Sequence, residues 1–510
     1  DKFLYEVDSS TGKLLTRMRT GKSVVAPVIV NDHIYFASPK GEVFGIDWST
    51  KKIIWSIDLG STARVWSPLN FSKKHNLLFL ATSNPGGLFA ENRSPITDFS
   101  SSLVAVDVTT GQVRYSFQDV VTDVWDFDVV GQPILVYDHI AKDGRMLDLV
   151  IQLTKTGRVI VLEASDGSPI LQDQFDTFLV GSSASNGIDI STFQKKYNWP
   201  ERFSNIILEE DEFRTEDLTK LSILRHAEFE LFTPPSVHYD VIIKGLHGGA
   251  EWFGGRHYRH KGTDFLSIPY NDYPWILRAK YINTSRIDRM YNAYEKLLRG
   301  LRKISIFNSE SSSEIPRRSA TDKTYDNAEN GGHRWSQQSW VFKNDGASQM
   351  RSKLEARLNL NNFAPEYFTH CSECHFSNRR GNYQSELAGS GYIPSLVGYT
   401  LTEKYKKFNT LKSLQSVHKQ KLNLSSNELI AIYQSFDNYD QKLNDSNKLR
   451  VKGFWQPLVD DFNIPHSQPP WGGIAFLNLK SGKIEKKLQL GSIKSQKGAT
   501  FNGSMIFGGI

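Results

Sequence analysis

The chain has 510 residues, 39% of them hydrophobic, enough for one large buried core with room for a smaller second domain. A count of 61 basic against 55 acidic residues leaves a net charge of +6 with no dense Lys/Arg tract, which argues against nucleic acid as a partner. A surface of that mild basic sign suits an acidic electron acceptor or peripheral contact with an anionic membrane face. No apolar run reaches the roughly 18 residues of a membrane span, and Cys371 and Cys374, the only cysteines, are not a disulfide framework.

From the N-terminus, a hairpin pattern recurs. It reads LYEVDSSTGKLLTRM from Leu4, VFGIDWSTKKIIWSI from Val43, LVAVDVTTGQVRYSF from Leu103, VIVLEASDGSPILQD from Val159 and IAFLNLKSGKIEKKL from Ile474. Each copy has an apolar strand, an acid or amide, a tight turn and a second strand. Gly12, Gly111, Gly167 and Gly482 close the turns, and Lys51 replaces the glycine once. Asp8 and Asp47 are 39 residues apart, the length of a four-stranded blade. The repeat predicts an all-β fold, a β-propeller, with a β-sandwich as the alternative. The chain starts at Asp1 and stops at Ile510 inside apparent strands, so we expect a fragment whose signal peptide is missing.

Within these units, Trp66, Asn84, Asp126 and Lys155 fall at strand ends and turns. An aromatic plate, a neutral oxygen ligand, a carboxylate and a cation delivered to one place suit a flat anionic cofactor, a hard metal ion and a general base. Taken singly, each has a plainer reading: a core tryptophan, a turn residue before Pro85, a contact between blades and a solvated lysine.

The pattern changes at Thr284, where Ile287, Met290, Tyr294, Leu297 and Leu301 follow helical spacing. Residues 306–340 are polar and read as a linker, 346–440 as mainly helical, and strands resume near Gly453. LSSNEL, from Leu424, carries a cap-like serine ahead of a helical run. Within the helical stretch, CSECH from Cys371 to His375 is the pattern of covalent c-type haem attachment, with two thioether-forming thiols and an adjacent histidine for the iron. With IPSLVG and LTEKY downstream, the segment resembles small class I cytochrome c domains. These usually supply a methionine as sixth ligand, but no Met lies between His375 and Met505. His418 is either the axial ligand or a surface residue, and an open position is a third option.

SNPGGLFAENRSP, then SSLVAVD, then VWDFD, extended by TPPS at Thr233, HGGAEWFGG at His247 and PPWGG at Pro469, resemble the pyrroloquinoline quinone (PQQ) dehydrogenases of the alcohol, glucose and quinate type. Some members carry a cytochrome before the PPWG segment. The resemblance implies an eight-bladed propeller, partial here, with an inserted, mainly α cytochrome c domain. The divisions are 1–283 for the first part of the propeller, 284–345 for a helical and polar linker, 346–440 for the cytochrome-like domain and 441–510 for the propeller continued. It also implies roles: Trp66 as the floor under the quinone, Asn84 as a calcium ligand, Asp126 as general base, and Lys155 as a hydrogen-bond donor to the quinone oxygens. The cofactors would be PQQ, calcium and haem c.

There are departures from the family pattern. The loop FASPKGEV is short where a further calcium carboxylate is expected, leaving either Glu42 to serve or Lys40 to fill the cation site itself. Val121-Thr122 stands where a histidine is usual, Glu251 replaces an asparagine, and a vicinal disulfide cannot form. The expectation is a periplasmic dehydrogenase that oxidises a small alcohol, polyol or sugar. Its electrons would pass through the haem to an external cytochrome or quinone. The alternative is a non-catalytic propeller, a binding or scaffold module bearing an electron-transfer haem.

Overall fold

The computed structural model describes the chain apart from residues 1, 23, 26, 86–98, 130, 181–191, 215–226, 247–248, 251–253, 292, 294–352, 354–355, 358–362, 376–378, 380–394, 403–404, 406–409, 418–422, 460–463, 495–499 and 505–510. The fold is mainly β. Antiparallel four-stranded sheets form from Val28–Val30, His33–Ala37, Glu42–Asp47 and Lys52–Asp58, and from Asn70–Ser72, Leu77–Ala81, Ser102–Asp107 and Val113–Gln118. A three-stranded sheet follows, built from Ile134–Ile140, Met146–Leu153 and Val159–Glu163. In each, the second strand is the most buried: Leu77–Ala81 is buried throughout, and Met146–Leu153 is buried after its first residue. Strands enclosed on both faces read as continuous apolar runs, as these do.

The repeated hairpin turns have one chemistry. The Asp8 carboxylate accepts the backbone N–H groups of Ser10 and Thr11 at 2.9 and 2.8 Å, and Asp107 does the same for Thr109 and Thr110 at 2.9 and 3.1 Å. In the last copy the Asn478 side-chain oxygen takes the N–H groups of Lys480 and Ser481. Acid and amide are therefore interchangeable here: the turn needs only an acceptor. Lys51, in the glycine position, has φ of 60° and lays its ammonium 3.1 Å from the Trp48 ring centroid.

Adjacent sheets are locked through these turns. Trp55 of the first sheet donates its indole N–H to Val108 O at 2.7 Å, and its ring covers Gly111, where a Cβ would come within 2.7 Å. Tyr115 of the second sheet packs on Gly167 of the third and donates to Ala164 O at 2.9 Å. Trp199 covers Gly482 in the same way. The turn glycines thus serve twice, taking positive φ and leaving room for a ring.

Two sheets are assembled from strands distant in sequence. Thr263–Asn271 pairs antiparallel with Gly472–Asn478, from Phe265↔Asn478 to Asn271↔Gly472, between outer strands Arg256–His260 and Lys483–Gln489. Pro274–Asn283 pairs with Leu449–Pro457 along its whole length and forms a sheet with Asp240–Lys244 and Ala227–Glu228. Between these paired strands the described residues include the helices α1 (Pro365–His370), α2 (Ser372–His375), α3 (Leu411–Val417) and α4 (Ser426–Asp445). The cap-like serine is Ser425, which forms a capping box with Glu428. α4 packs Leu429, Ile432, Tyr433 and Phe436 against Phe363, Tyr367 and Tyr291, a core separate from those of the sheets. The buried Asp440 of α4 accepts from Arg379 at 2.6 Å, Gly398 N at 2.9 Å and Thr400 Oγ1 at 2.8 Å.

Asp264 makes a polar joint between sheets, accepting from His139 Nδ1 at 2.8 Å, His257 Nε2 at 2.8 Å and Arg259 Nε at 2.7 Å. Burial alone would raise its pKa, but these partners outweigh burial and lower it to about 2. A carboxyl depressed by folding stabilises the native state above its unfolded value of about 4 and loses that contribution as pH falls toward 2. Asp264→Asn should therefore flatten the fall in stability between pH 4 and pH 2, measured by denaturant midpoints. Gly111→Ala combines positive φ with a clash against Trp55, and should cost about 1–3 kcal/mol in a denaturant melt.

Candidate active site

The residues singled out in the sequence sit where the middle strands end. Asn84 follows Leu77–Ala81, and Lys155 follows Met146–Leu153. Trp66 follows Val65, which is bridged to Thr82. Ser83 N donates to Arg64 O at 2.7 Å, so the segment carrying Trp66 runs antiparallel to the strand end that leads to Asn84. Trp66 is 48% exposed, not a core residue, and leaves an indole available at this end of the sheets.

Asp126 lies on a turn held by Asp123, whose Oδ1 accepts Trp125 N at 2.9 Å and Asp126 N at 3.0 Å. Asp126 takes φ of 74°, a conformation that a short polar side chain tolerates and that recurs at functional sites. Trp125 is the structural partner in the pair. It is buried, donates to Thr233 O at 2.6 Å and stacks on Phe127 at 5.9 Å.

These turns converge. Asn84 donates its side-chain N–H to Asp126 Oδ1. The ammonium of Lys155, only 3% exposed, lies 2.8 Å from Asp128 Oδ2, 3.3 Å from Asp126 Oδ2 and 3.1 Å from Asp126 O. Asp128 Oδ1 also accepts Asn84 N at 2.5 Å. Asn84, Asp126 and Lys155 thus form one cluster, and Asp128 is its hub. No local signal in the sequence marks it: Val129 bridges Thr154, which places Asp128 beside Lys155. Neither the plain turn reading of Asn84 nor the solvated reading of Lys155 holds.

Burial of Asp126, reinforced by the like charges of Asp128 and Asp123, raises its pKa to about 7, although Lys155 opposes the shift. Burial and Asp128 likewise bring Asp123 to about 6. Burial by itself would lower the Lys155 ammonium, but the Asp126 and Asp128 carboxylates more than offset this and push it up. Asp126 is thus suited to take and return a proton near neutral pH.

The Lys155 loop has its own support. Arg158, fully buried, donates to Thr156 Oγ1 at 2.7 Å and lies 2.9 Å from Asp119, which also accepts from Thr156 at 3.2 Å. Gly249 packs against Lys155 O, where a Cβ would approach within 2.5 Å.

Asn84, Asp126 and Asp128 are all oxygen ligands of the kind a hard divalent cation takes. Their donor chemistry fits such an ion, while Lys155 already holds both carboxylates. Among the described residues no group of three or more His, Cys, Asp or Glu has metal-holding geometry. Glu42, the alternative carboxylate, is engaged elsewhere, by Lys22 at 2.6 Å and Ser38 at 3.0 Å. His247 and Glu251 lie outside the described residues.

In the helical segment, Cys371 follows α1 and packs at the edge of the aromatic core, and His375 N donates to Cys371 O at 2.9 Å. His375 is buried. The side chain of Cys374, and His418 altogether, lie outside the described residues. No described helix is long and apolar enough to cross a membrane.

A family model described as "Glucose/ethanol/alcohol dehydrogenase, beta-propeller domain", of the PQQ class, matches residues 59–300. This segment is similar to the PQQ dehydrogenase propellers. Among curated relatives, the chain is similar to quinoprotein glucose dehydrogenase A of Acinetobacter calcoaceticus, 26% identical over 264 residues, 46% of this chain and 32% of that protein. It is also similar to the glycerol dehydrogenase large subunit of Gluconobacter oxydans, 28% identical over 268 residues, 46% of this chain and 35% of that one. The aligned region thus spans about a third of the length of these relatives. A solved quinohemoprotein alcohol dehydrogenase from Comamonas testosteroni aligns at 16% identity and a TM-score of 0.39, covering 56% of this chain and 43% of that one. The relatives are named as dehydrogenases, and the segment that the family model matches contains Trp66, Asn84, Asp126 and Lys155.

Removing one partner of a buried ion cluster strands the other charge. Asp128→Ala should lower the unfolding free energy by about 3 kcal/mol, whereas Asp138→Asn, which removes the charge of an exposed surface pair and keeps a side chain that tolerates the φ of 54° there, should change it little. Urea melts of the two variants make the comparison.

Proposed function

We propose that the chain is a PQQ- and calcium-dependent dehydrogenase acting on the hydroxyl of an alcohol, polyol or sugar. The observation that carries this reading is the convergence of Asn84, Asp126 and Lys155, three residues from separate turns, with the exposed Trp66 on the segment bridged to the strand end that leads to Asn84. PQQ, when bound, supplies a two-electron acceptor for the hydride of the substrate carbon. The Trp66 face offers a planar ring a stacking surface. Asn84 and the neighbouring carboxylates offer oxygen ligands to calcium. Asp126 accepts the substrate hydroxyl proton, for which its raised pKa suits it. Lys155 provides positive charge where a reduced quinone gains negative charge.

A cavity of about 450 Å³, lined in part by Glu212, Lys244, Tyr270, Asp272 and Lys487, adds hydrogen-bonding groups of both signs. Asp272 is the residue after Thr263–Asn271, and Asn271 O and Lys155 O both lie close to Gly245. Such a lining suits a hydroxyl-rich molecule.

Cys371, Cys374 and His375 are proposed to hold a c-type haem, with His418 as a further ligand. The support is the CSECH pattern and the helical turn linking Cys371 to His375. Such a group supplies one-electron transfer toward a cytochrome or quinone acceptor. A chain that carries covalently attached haem is proposed to work in the periplasm.

Asp126→Asn keeps the shape of the site and removes the base. It should retain PQQ binding, followed by quenching of tryptophan fluorescence, while turnover with an artificial acceptor falls at least about a hundredfold. Full turnover in this variant would refute the assignment. A wild-type chain that never takes up PQQ would favour the scaffold reading.

A further inference from the structure

We propose that Lys155 is a built-in competitor of the divalent cation: its ammonium holds the Asp126 and Asp128 carboxylates until the quinone draws it away, so cation and quinone load together. This inference rests on the quinone reading above and adds the order and coupling of assembly.

Three observations support it. First, the Lys155 Nζ is not poised in open space: it contacts both carboxylates and the Asp126 backbone oxygen within 3.3 Å, at 3% exposure. A metal drawing on those oxygens must displace an ammonium of its own sign or lie against it, at an electrostatic cost large in a buried site. Second, the Asn84 side-chain N–H also donates to Asp126 Oδ1, so both oxygens of the carboxylate that a cation would draw on already face donors of this chain. Third, two carboxylates, those of Asp126 and Asp128, share the single charge of Lys155, so an anionic quinone meets acceptors rather than a free cation there. Each guest therefore removes an obstacle to the other. The quinone carboxylates and carbonyls offer Lys155 new acceptors and free the aspartates. The cation then neutralises the aspartates and favours the quinone. Linkage requires the coupling to be reciprocal: calcium must tighten PQQ by the factor by which PQQ tightens calcium.

The test is calorimetric titration of the full chain, stripped of PQQ, with calcium. Lys155→Met should bind calcium at least about tenfold more tightly than wild type without PQQ, and adding PQQ should no longer change that affinity. Lys155→Arg, which keeps the charge, should bind calcium as weakly as wild type. In the wild type, PQQ should tighten calcium about tenfold or more. A Lys155→Met variant that binds calcium no better than wild type overturns the proposal. If that variant does not fold, the wild-type pair of titrations still decides, because equal calcium affinity with and without PQQ also overturns it. A wild type that takes up no PQQ sinks the quinone reading. In that case the competitor role still stands or falls on the Lys155→Met comparison.

Discussion

The site depends on one buried ammonium. Lys155 sits among carboxylates that could not all be charged, that close together and that far from water, without it. Its charge lets Asp128 join the Asn84 turn to the Lys155 turn, and it moderates the rise in the Asp126 pKa. Much of the surrounding architecture serves to keep that ammonium in place. Arg158 and Asp119 brace the loop through Thr156, Gly249 lets a neighbouring backbone close over Lys155 O, and Asp123 fixes the turn that aims Asp126. A buried ion cluster of this kind is costly to build and adds little to stability by itself. Its retention on a scaffold of apolar strands is better explained by chemistry than by folding.

The scaffold solves a different problem, that of holding separate sheets in register without a continuous hydrogen-bond ladder. Its device is an aromatic ring from one sheet seated on the turn glycine of the next, with Trp55 on Gly111 and Tyr115 on Gly167. Because the middle strands are the most enclosed, their ends are the most rigid places from which to project a side chain. Asn84 and Lys155 both start from such ends, so the precision of the site derives from the packing of Leu77–Ala81 and Met146–Leu153.

Much of this was legible in the sequence, because it is written in local chemistry. The hairpin turns follow from an acceptor three or four residues before a glycine, and the break at Thr284 follows from a change of period. The pairing of Thr263–Asn271 with Gly472–Asn478 matches a strand language that stops and resumes. Trp66, Asn84, Asp126 and Lys155 were found through resemblance, and the structure brings the last three into contact. Asp128 was missed because no local rule shows that a carboxylate two residues past the base faces the same cation. That follows from the Val129–Thr154 bridge, a long-range register. Glu42 was offered as a cation ligand on loop position alone, and the sequence could not show that Lys22, 20 residues earlier, would claim it. His418 and the Cys374 side chain lie outside the described residues, so the iron ligands stand as the sequence left them.

The central claim is that this cluster oxidises a hydroxyl group through a bound quinone. The most direct measurement is an anaerobic absorbance spectrum of the full chain, loaded with PQQ and calcium, before and after addition of sugars, polyols and simple alcohols. The account predicts that one class of hydroxyl compound converts the quinone spectrum to that of its reduced form. A chain that holds PQQ, yields to dithionite and is left unchanged by every hydroxyl compound would contradict it.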